Sequence, residues 1–145
     1  MTNFEIRPIC DAIGAEVFGV DLRKPLAPEV AKAIEEAWYD HIIVLIRDQD
    51  LLLDQQQAYA ANFGKVAVRL QSTATKHEQQ TSNAIMLITN VRENGKPIGT
   101  LPDGEMMFHS DTPYYEKPLK ATLLYAMDIP AHGGNTLFSN SYTAA

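Results

Sequence analysis

The sequence has few cysteines, no excess of positive charge and no long apolar run. Its one cysteine, Cys10, excludes an intramolecular disulfide, and no Cys/His spacing matches a structural zinc site. No segment approaches the roughly 20 apolar residues of a membrane-spanning helix. The first residues, MTNFEIRPI, also lack the basic start and apolar core of a secretory signal. We therefore expect a protein of a reducing, cytoplasmic compartment with no membrane partner.

The charge balance points to a small-molecule partner. The formal net charge is −6 at pH 7, and the basic residues are scattered along the chain. Affinity for phosphate backbones depends on clustered Lys and Arg, so nucleic acid is not an expected partner. A chain of 145 residues is long enough for one domain with a buried core. Because no internal repeat, low-complexity tract or linker divides it, we expect residues 1–145 to form a single domain or part of one.

The hydrophobic pattern of the first 41 residues predicts two strands and a helix. FEIRPI and AEVFGV alternate apolar and polar residues, which is typical of strands. Pro8 donates no backbone hydrogen bond, so the first strand should lie at a sheet edge. Residues Pro28 to His41 carry apolar side chains at helical spacing after a proline that suits a first turn. This apolar stripe should pack onto the sheet.

A strand, a second helix and two loops are predicted next. The β-branched run Ile42 to Ile46 predicts a strand buried on both faces. Asp54 is typical of an N-cap, and the helix after it should stop at Gly64. The polar segment Arg69 to Asn83 has no sustained period and predicts a long loop of the kind that often covers an active site. Ile85 to Thr89 predicts a strand, and Asn94-Gly95 a tight turn.

The last third of the chain predicts a β-rich core, because no helical period occurs between Phe108 and Asn140. LKATLLYAMDI is typical of a core strand, and NTLFSN of another strand after a Pro-Ala-His-Gly-Gly turn. Gly133 and Gly134 predict a tight turn between strands. No Lys-Ser/Thr follows them, so a phosphate-binding loop is disfavoured.

The pair His109 and Asp111 is the strongest candidate for chemistry. On an extended strand, residues two apart point to the same face, so the imidazole and the carboxylate converge while Ser110 points away. Such a pair forms two corners of the facial triad that holds non-haem iron(II) and leaves positions open for oxygen and a chelating co-substrate. The bare H-x-D motif also occurs by chance in turns and surface strands. A third ligand must come from elsewhere.

The remaining histidines and a tyrosine pair fit structural positions. His41 lies at the end of the first helix, His77 in the polar loop and His132 in a turn. Tyr114 and Tyr115 follow the H-x-D pair, and neighbouring strand residues face opposite ways. Only Tyr115 would therefore share the face of the pair, provided that the strand stays regular. Packing is the expected role of both tyrosines.

The chain resembles the taurine dioxygenase and 2,4-dichlorophenoxyacetate dioxygenase family over nearly its whole length. The segments that carry the resemblance, in the family's order, are IGAEVFGVDLRKPL, HIIVLIRDQDL, ANFGKV, ITNV, FHSDTPYYEKP and IPAHGGNTLFSN. The resemblance implies a dioxygenase that uses Fe(II), 2-oxoglutarate and O2 to hydroxylate a small, acidic organic substrate, with release of succinate and CO2. It also implies a mixed α/β (α+β) fold, part of a double-stranded β-helix (jelly-roll-like) core with flanking N-terminal helices.

The same resemblance implies roles for five residues. His109 and Asp111 match the first two iron ligands of the family, and Thr136 matches the threonine whose hydroxyl contacts 2-oxoglutarate. Arg69 and Asn90 stand where relatives place polar residues that contact the substrate. A solvated loop position is an equally good interpretation of these last two residues.

One departure from the family pattern limits what this chain can do alone. Relatives run to nearly twice its length, and their second histidine ligand and the arginine that binds 2-oxoglutarate lie downstream of its last residue. After Asp111 the sequence contains only His132 and no arginine. We therefore expect an incomplete, inactive portion of a dioxygenase, either a fragment or a short natural protein.

Three further interpretations stay open on the sequence. A non-catalytic small-acid-binding or regulatory module derived from this family would keep the pocket without turnover. A cupin is disfavoured, because cupins place several histidines in close sequence. Unpaired strand edges between Ala121 and Ser139 would favour association, and homo-oligomers are common among soluble enzymes. The loop sequence carries no signature that identifies the substrate.

Overall fold

The computed structural model describes residues 4–68, 84–99 and 107–144. Two helices and five short strands are assigned within these ranges. In chain order they are β1 Glu5–Pro8, β2 Ala15–Phe18, α1 Pro28–His41, β3 Val44–Leu45, α2 Leu53–Ala61, β4 Arg92–Glu93 and β5 Lys96–Pro97. The mixed α and β content predicted from the sequence is confirmed.

The chain folds as two compact units. The first contains Met1–Gly64 and Tyr125–Ala145, and the second contains Lys65–Leu124. Both helices and the β1–β2–β3 sheet belong to the first unit, and the β4–β5 hairpin belongs to the second.

A three-stranded sheet with α1 packed on it forms the centre of the first unit. The strand order is β1-β2-β3, with β1 antiparallel to β2 and β2 parallel to β3. Parallel neighbours need a crossover connection, which α1 supplies, and α1 contacts both β2 and β3. The predicted edge position of β1 is confirmed, as are the predicted bounds of α1.

The core of this unit is small. Its buried apolar side chains come from β2, from the loop after β2 and from α1: Ala15, Val17, Leu22, Ile34 and Ala37. Ile34 is the largest fully buried side chain, at 1% exposure. It lies on the apolar stripe of α1, so the prediction that this stripe packs onto the sheet is confirmed. Burial of one such side chain stabilises a fold by roughly 1.5–3 kcal/mol.

The run Ile42 to Ile46 forms a shorter and more exposed strand than predicted. Only Val44 and Leu45 pair with β2, and all five residues are half-buried. The prediction of a strand buried on both faces is wrong for the described sheet, because β3 lies at its edge. Ile42 has a φ of 70°, so the helix ends with a left-handed residue immediately before the strand.

Helix α2 also starts differently from the prediction. It begins at Leu53, and the Gln55 side chain accepts the Leu52 backbone N–H at 2.8 Å. Asp54 therefore lies inside the first turn, where a negative charge interacts favourably with the helix dipole. The prediction of Asp54 as N-cap is wrong. The helix ends at Ala61, before Gly64.

The Gln49 side chain joins the segment after β3 to the loop after β2. Its Nε2 donates to the carbonyl oxygens of Val20 at 3.2 Å and Arg47 at 2.8 Å. Its Oε1 accepts the backbone N–H of Leu22 at 2.9 Å. Since the Leu22 side chain is buried, this amide holds a loop against the core.

Replacing Gln49 by alanine should destabilise the first unit. The Leu22 N–H and two carbonyl groups would lose their partner, and an unsatisfied, partly buried donor costs about 1–3 kcal/mol. Urea denaturation followed by circular dichroism measures the change. Gln56→Ala, in the half-buried part of α2, is the matched control, with an expected change below about 0.5 kcal/mol. An equal decrease in the free energy of unfolding in the two variants would contradict the bridging role of Gln49.

The C-terminal segment of the first unit is held by side-chain hydrogen bonds. The Tyr125 hydroxyl accepts the Leu51 backbone N–H at 3.0 Å and donates to the Gln49 carbonyl at 3.3 Å. Asn140 Nδ2 donates to the Ala12 carbonyl at 2.8 Å. Tyr125 and Asn140 therefore join this segment to the chain at Gln49–Leu51 and at Ala12.

The hairpin of the second unit follows its predicted turn. Asn94 and Gly95 have φ of 51° and 76°, the left-handed pair that a two-residue hairpin turn requires. Gly99 lies close to the preceding segment, because a Cβ there would be 2.7 Å from the Leu87 carbonyl oxygen. The predicted strand Ile85 to Thr89 is reduced to a single bridge at Ile88.

The predicted strands of the last third are not formed. No helix or strand is assigned within residues 107–144. The chain bends at Ala131 and His132, within the predicted Pro-Ala-His-Gly-Gly turn, and Gly133 and Gly134 have φ of 76° and 69°. From Ala121 to Tyr125, side chains alternate between half-buried and exposed, as on a strand. Large apolar side chains are exposed further along, at Met127, Ile129, Leu137 and Phe138. The strand pattern is present, but within these residues it has no ladder partner.

Candidate metal centre

His109 and Asp111 lie together in the second unit. His109 Nε2 is 3.2 Å from Asp111 Oδ1. The regular strand that the sequence predicts here is not formed, because Thr112 turns the chain with a φ of 50°. The two side chains nevertheless converge, as predicted from their spacing.

The Met107 carbonyl determines which nitrogen of His109 faces the aspartate. His109 Nδ1 is 2.8 Å from the Met107 oxygen. A carbonyl can only accept, so this hydrogen bond places the imidazole proton on Nδ1. In the neutral ring, Nε2 then directs its lone pair towards Asp111. Histidine ligands of metal ions have this arrangement, with one nitrogen bound to the metal and the other donating to a carbonyl or carboxylate.

The spacing of the two donor atoms fits a bound divalent ion. A lone pair on Nε2 and a negative oxygen 3.2 Å apart repel each other unless a proton or a cation lies between them. Two ligand atoms at right angles and about 2.1 Å from one ion are about 3.0 Å apart. The side chains of His109 and Asp111 are 50% and 46% exposed, so an ion can reach them from solvent. A neutral imidazole and a carboxylate are also the donors that non-haem iron(II) takes.

Thr122 completes the surroundings of the carboxylate and was missed by the sequence analysis. Its hydroxyl Oγ1 donates to Asp111 Oδ2 at 2.6 Å. The two carboxylate oxygens therefore have different neighbours, with Oδ1 facing the histidine and Oδ2 the hydroxyl. Asp111 and Thr122 are eleven residues apart in sequence, whereas side chains that touch within one strand or helix are two to four residues apart. The sequence pattern therefore did not predict this contact.

The other predicted site residues are Thr136, Asn90 and Arg69. Thr136 belongs to the first unit, where it is exposed two residues after Gly134. Asn90 is exposed in the second unit, and no hydrogen bond joins it to His109 or Asp111 within the described residues. Arg69 lies outside the described residues.

No third ligand joins the pair in residues 4–68, 84–99 and 107–144, where no group of three His, Cys, Asp or Glu is close enough to hold a metal. The backbone carbonyl of His41 accepts the Gly14 N–H at 2.8 Å at the end of α1. His132 is exposed in the first unit. His77 lies outside the described residues.

The tyrosine pair departs from its predicted arrangement. Tyr115 was expected to face the same way as the H-x-D pair on a regular strand, and the left-handed Thr112 removes that regularity. The rings of Tyr114 and Tyr115 instead contact each other, with centroids 4.8 Å apart. Both tyrosines are exposed.

Comparison with known proteins gives one family. Residues 5–145 match the family model described as taurine catabolism dioxygenase TauD, TfdA family. The chain is 31% identical to pentalenolactone F synthase of Streptomyces avermitilis, over 92% of this chain and 44% of that protein. It is 28% identical to the (S)-phenoxypropionate/alpha-ketoglutarate-dioxygenase of Delftia acidovorans, over 99% of this chain and 48% of that protein. The chain thus spans about half the length of the curated relatives it matches.

A solved structure matches half of the chain. It is a putative alpha-ketoglutarate-dependent taurine dioxygenase from Burkholderia xenovorans, 30% identical, with a TM-score of 0.47 over 50% of this chain and 26% of that one. Separately, no helix in the described ranges is both long enough and apolar enough to cross a membrane.

Proposed function

Since this chain belongs to the taurine catabolism dioxygenase TauD, TfdA family, we propose that it forms the metal-carrying part of an Fe(II)- and 2-oxoglutarate-dependent dioxygenase. The reaction is the hydroxylation of a small, acidic organic substrate by O2, with release of succinate and CO2. The observation that carries the proposal is the 3.2 Å approach of His109 Nε2 to Asp111 Oδ1. The name of the Delftia relative, an alpha-ketoglutarate-dioxygenase of phenoxypropionate, supports the substrate class.

His109 and Asp111 have complementary tasks in this proposal. His109 offers a neutral nitrogen, with its other nitrogen occupied by the Met107 carbonyl. Asp111 offers one carboxylate oxygen, whose charge offsets part of the charge of a divalent ion. Bound iron would supply the redox chemistry that couples decarboxylation of 2-oxoglutarate to hydroxylation of a substrate carbon. Thr136 is proposed to contact 2-oxoglutarate, and Arg69 and Asn90 to contact the substrate.

We assign residues 1–145 to a single domain whose core becomes a double-stranded β-helix when neighbouring strands are present. Two features support this. The alternation of exposure from Ala121 to Tyr125 has the period of a strand. The apolar side chains at Met127, Ile129, Leu137 and Phe138 are between 53% and 75% exposed, and they would be covered by a second sheet. Exposed apolar segments without a covering sheet favour self-association, and a homo-oligomer would cover them.

We propose further that this chain alone does not turn over substrate. His109 and Asp111 provide two donors where the facial triad needs three, and no third donor is close to them in the described ranges. The sequence after Asp111 also contains no arginine for the far carboxylate of 2-oxoglutarate. Without a bidentate, charge-assisted contact of that kind, co-substrate affinity should be low.

An anaerobic titration with Fe(II) and 2-oxoglutarate tests these proposals together. Millimolar Fe(II) should broaden the nuclear magnetic resonance signals of the His109 imidazole, because two donors bind weakly but locally. Addition of 2-oxoglutarate should produce no visible charge-transfer band. Admission of O2 should release no succinate above a protein-free control.

The controls and outcomes separate the alternatives. His109→Ala should abolish local broadening near Asp111, whereas His132→Ala should leave it unchanged. Broadening that is absent from His109 in the parent chain would contradict the metal-centre proposal. A band with succinate release would support the dioxygenase and contradict the inactivity of the isolated chain. Binding of 2-oxoglutarate without any effect of iron would favour a small-acid-binding module instead.

A further inference from the structure

Two side-chain hydrogen bonds tie the turn after His109 to the segment that follows it. Thr122 Oγ1 donates to Asp111 Oδ2 at 2.6 Å, a short bond of the kind that a hydroxyl forms with a charged carboxylate. The neighbouring Thr112 Oγ1 accepts the Leu119 backbone N–H at 3.3 Å. The two bonds hold residues 111–112 against residues 119–122, so the position of the Thr122 hydroxyl is set by more than one contact.

We propose that Thr122 is the positioning residue of the Asp111 carboxylate. This inference rests on the proposed role of Asp111 as a metal ligand. A free carboxylate rotates about its Cβ–Cγ bond and presents either oxygen, or both, to an ion. The Thr122 hydroxyl occupies Oδ2 and leaves Oδ1 to face His109 Nε2. The carboxylate is therefore held as a one-oxygen donor.

The chemistry of threonine suits this role. Its branched Cβ restricts the side chain to few rotamers, so the hydroxyl is aimed with little loss of entropy on ion binding. Asp111 is 46% exposed and would otherwise exchange between rotamers in water. The Met107 carbonyl orients the His109 ring in the same way. His109 and Asp111 are thus each held by one hydrogen-bond partner, Met107 and Thr122 respectively. Residues that bind metal ions in proteins are commonly held by such partners.

Three variants of Thr122 test the proposal. Thr122→Val keeps the shape and removes the hydroxyl, Thr122→Ser keeps the hydroxyl, and Thr122→Ala guards against misfolding of the valine variant. Thr143→Val is the matched control, because the Thr143 hydroxyl bonds the Asn140 carbonyl at 3.3 Å in the other unit. Circular dichroism checks that each variant is folded.

The first measurement uses the metal-free chain. Three-bond couplings to the Asp111 β-protons report rotation about its Cα–Cβ bond, which the hydrogen bond to Thr122 must also restrict if it holds the carboxylate in place. One dominant rotamer is expected in the parent, in Thr122→Ser and in Thr143→Val. Averaged couplings are expected in Thr122→Val and Thr122→Ala. Couplings that are already averaged in the parent, or that stay the same in every variant, would overturn the proposal. In either case the Thr122 hydroxyl would not control the orientation of the Asp111 side chain.

The second measurement is the affinity for Co(II), followed by its visible absorption. Loss of an outer partner typically lowers metal affinity about 10- to 100-fold, which is the loss expected in Thr122→Val. Thr122→Ser should stay within about 3-fold of the parent. If Thr122→Val binds Co(II) as tightly as the parent does, the positioning role is overturned, and the proposed metal centre is not affected. A parent that binds no Co(II) contradicts the proposed function alone, and the Asp111 couplings then decide the role of Thr122.

Discussion

Asp111→Asn should lower the affinity of the chain for Co(II) by at least about 100-fold, more than the loss of an outer partner produces. The substitution keeps the size of the side chain and removes its charge. The Asp111 carboxylate accepts a hydrogen bond from the Thr122 hydroxyl at 2.6 Å. In asparagine one of the two carboxylate oxygens is replaced by an NH2 group, which can only donate. A single imidazole then remains as a strong ligand. Titration of Co(II) absorption measures the change.

Two further variants separate charge from position. Asp111→Glu restores the charge on a longer side chain, and it should recover only part of the affinity, because the 3.2 Å spacing to His109 is lost. Asp128→Asn removes a carboxylate from the other unit and should have no effect. A common loss in Asp128→Asn and Asp111→Asn would show that net charge, and no particular site, governs the binding.

Ile34→Ala should destabilise the first unit by about 2–5 kcal/mol, the range for a fully buried aliphatic side chain truncated to alanine. Ile34 is 1% exposed, and it faces a core with only four other buried apolar residues within the described part of the chain. So small a core offers few neighbours that can move into the cavity. Urea denaturation of the β1–β2–β3 sheet and α1 measures the loss. Unfolding of the variant in the absence of denaturant would also agree with this expectation.

Val30, half-buried one turn earlier on the same helix, is the matched control. Val30→Ala should cost less than about 1.5 kcal/mol, and Ile34→Val about 0.5–1.5 kcal/mol. If Val30→Ala cost as much as Ile34→Ala, the stripe of α1 would not face the sheet as described.

The N-terminal elements were predictable because local pattern determines them. Pro28 begins α1, the apolar spacing continues to His41, and the structure gives the same bounds. Pro8 correctly placed β1 at an edge. The start of α2 was missed because the N-cap residue, Leu52, has no polar side chain, and the Gln55 side chain instead accepts the Leu52 backbone N–H. Single-residue cap preferences do not decide between such alternatives.

The strand predictions after residue 107 were wrong for a different reason. LKATLLYAMDI has the pattern of a strand, but a strand is defined by a hydrogen-bonded neighbour, which the pattern does not provide. At the candidate site, the convergence of His109 and Asp111 was predictable from their spacing. The left-handed Thr112 and the Thr122 contact were not, because β-branched residues rarely adopt that conformation and the contact joins residues eleven positions apart across an irregular segment.

The contacts of the first unit also differ greatly in sequence separation, that is, in the number of residues between the two partners. Pro8 pairs with Ala15, seven residues later, and Ala15 pairs with Val44, 29 residues later. The Asn140–Ala12 hydrogen bond spans 128 residues, and the Tyr125–Leu51 bond spans 74. Closing a longer loop costs more entropy, and contacts distant in sequence generally form late. We therefore expect the sheet and α1 to form before residues 125–144 dock on them, and residues 125–144 to exchange amide hydrogens faster than β2.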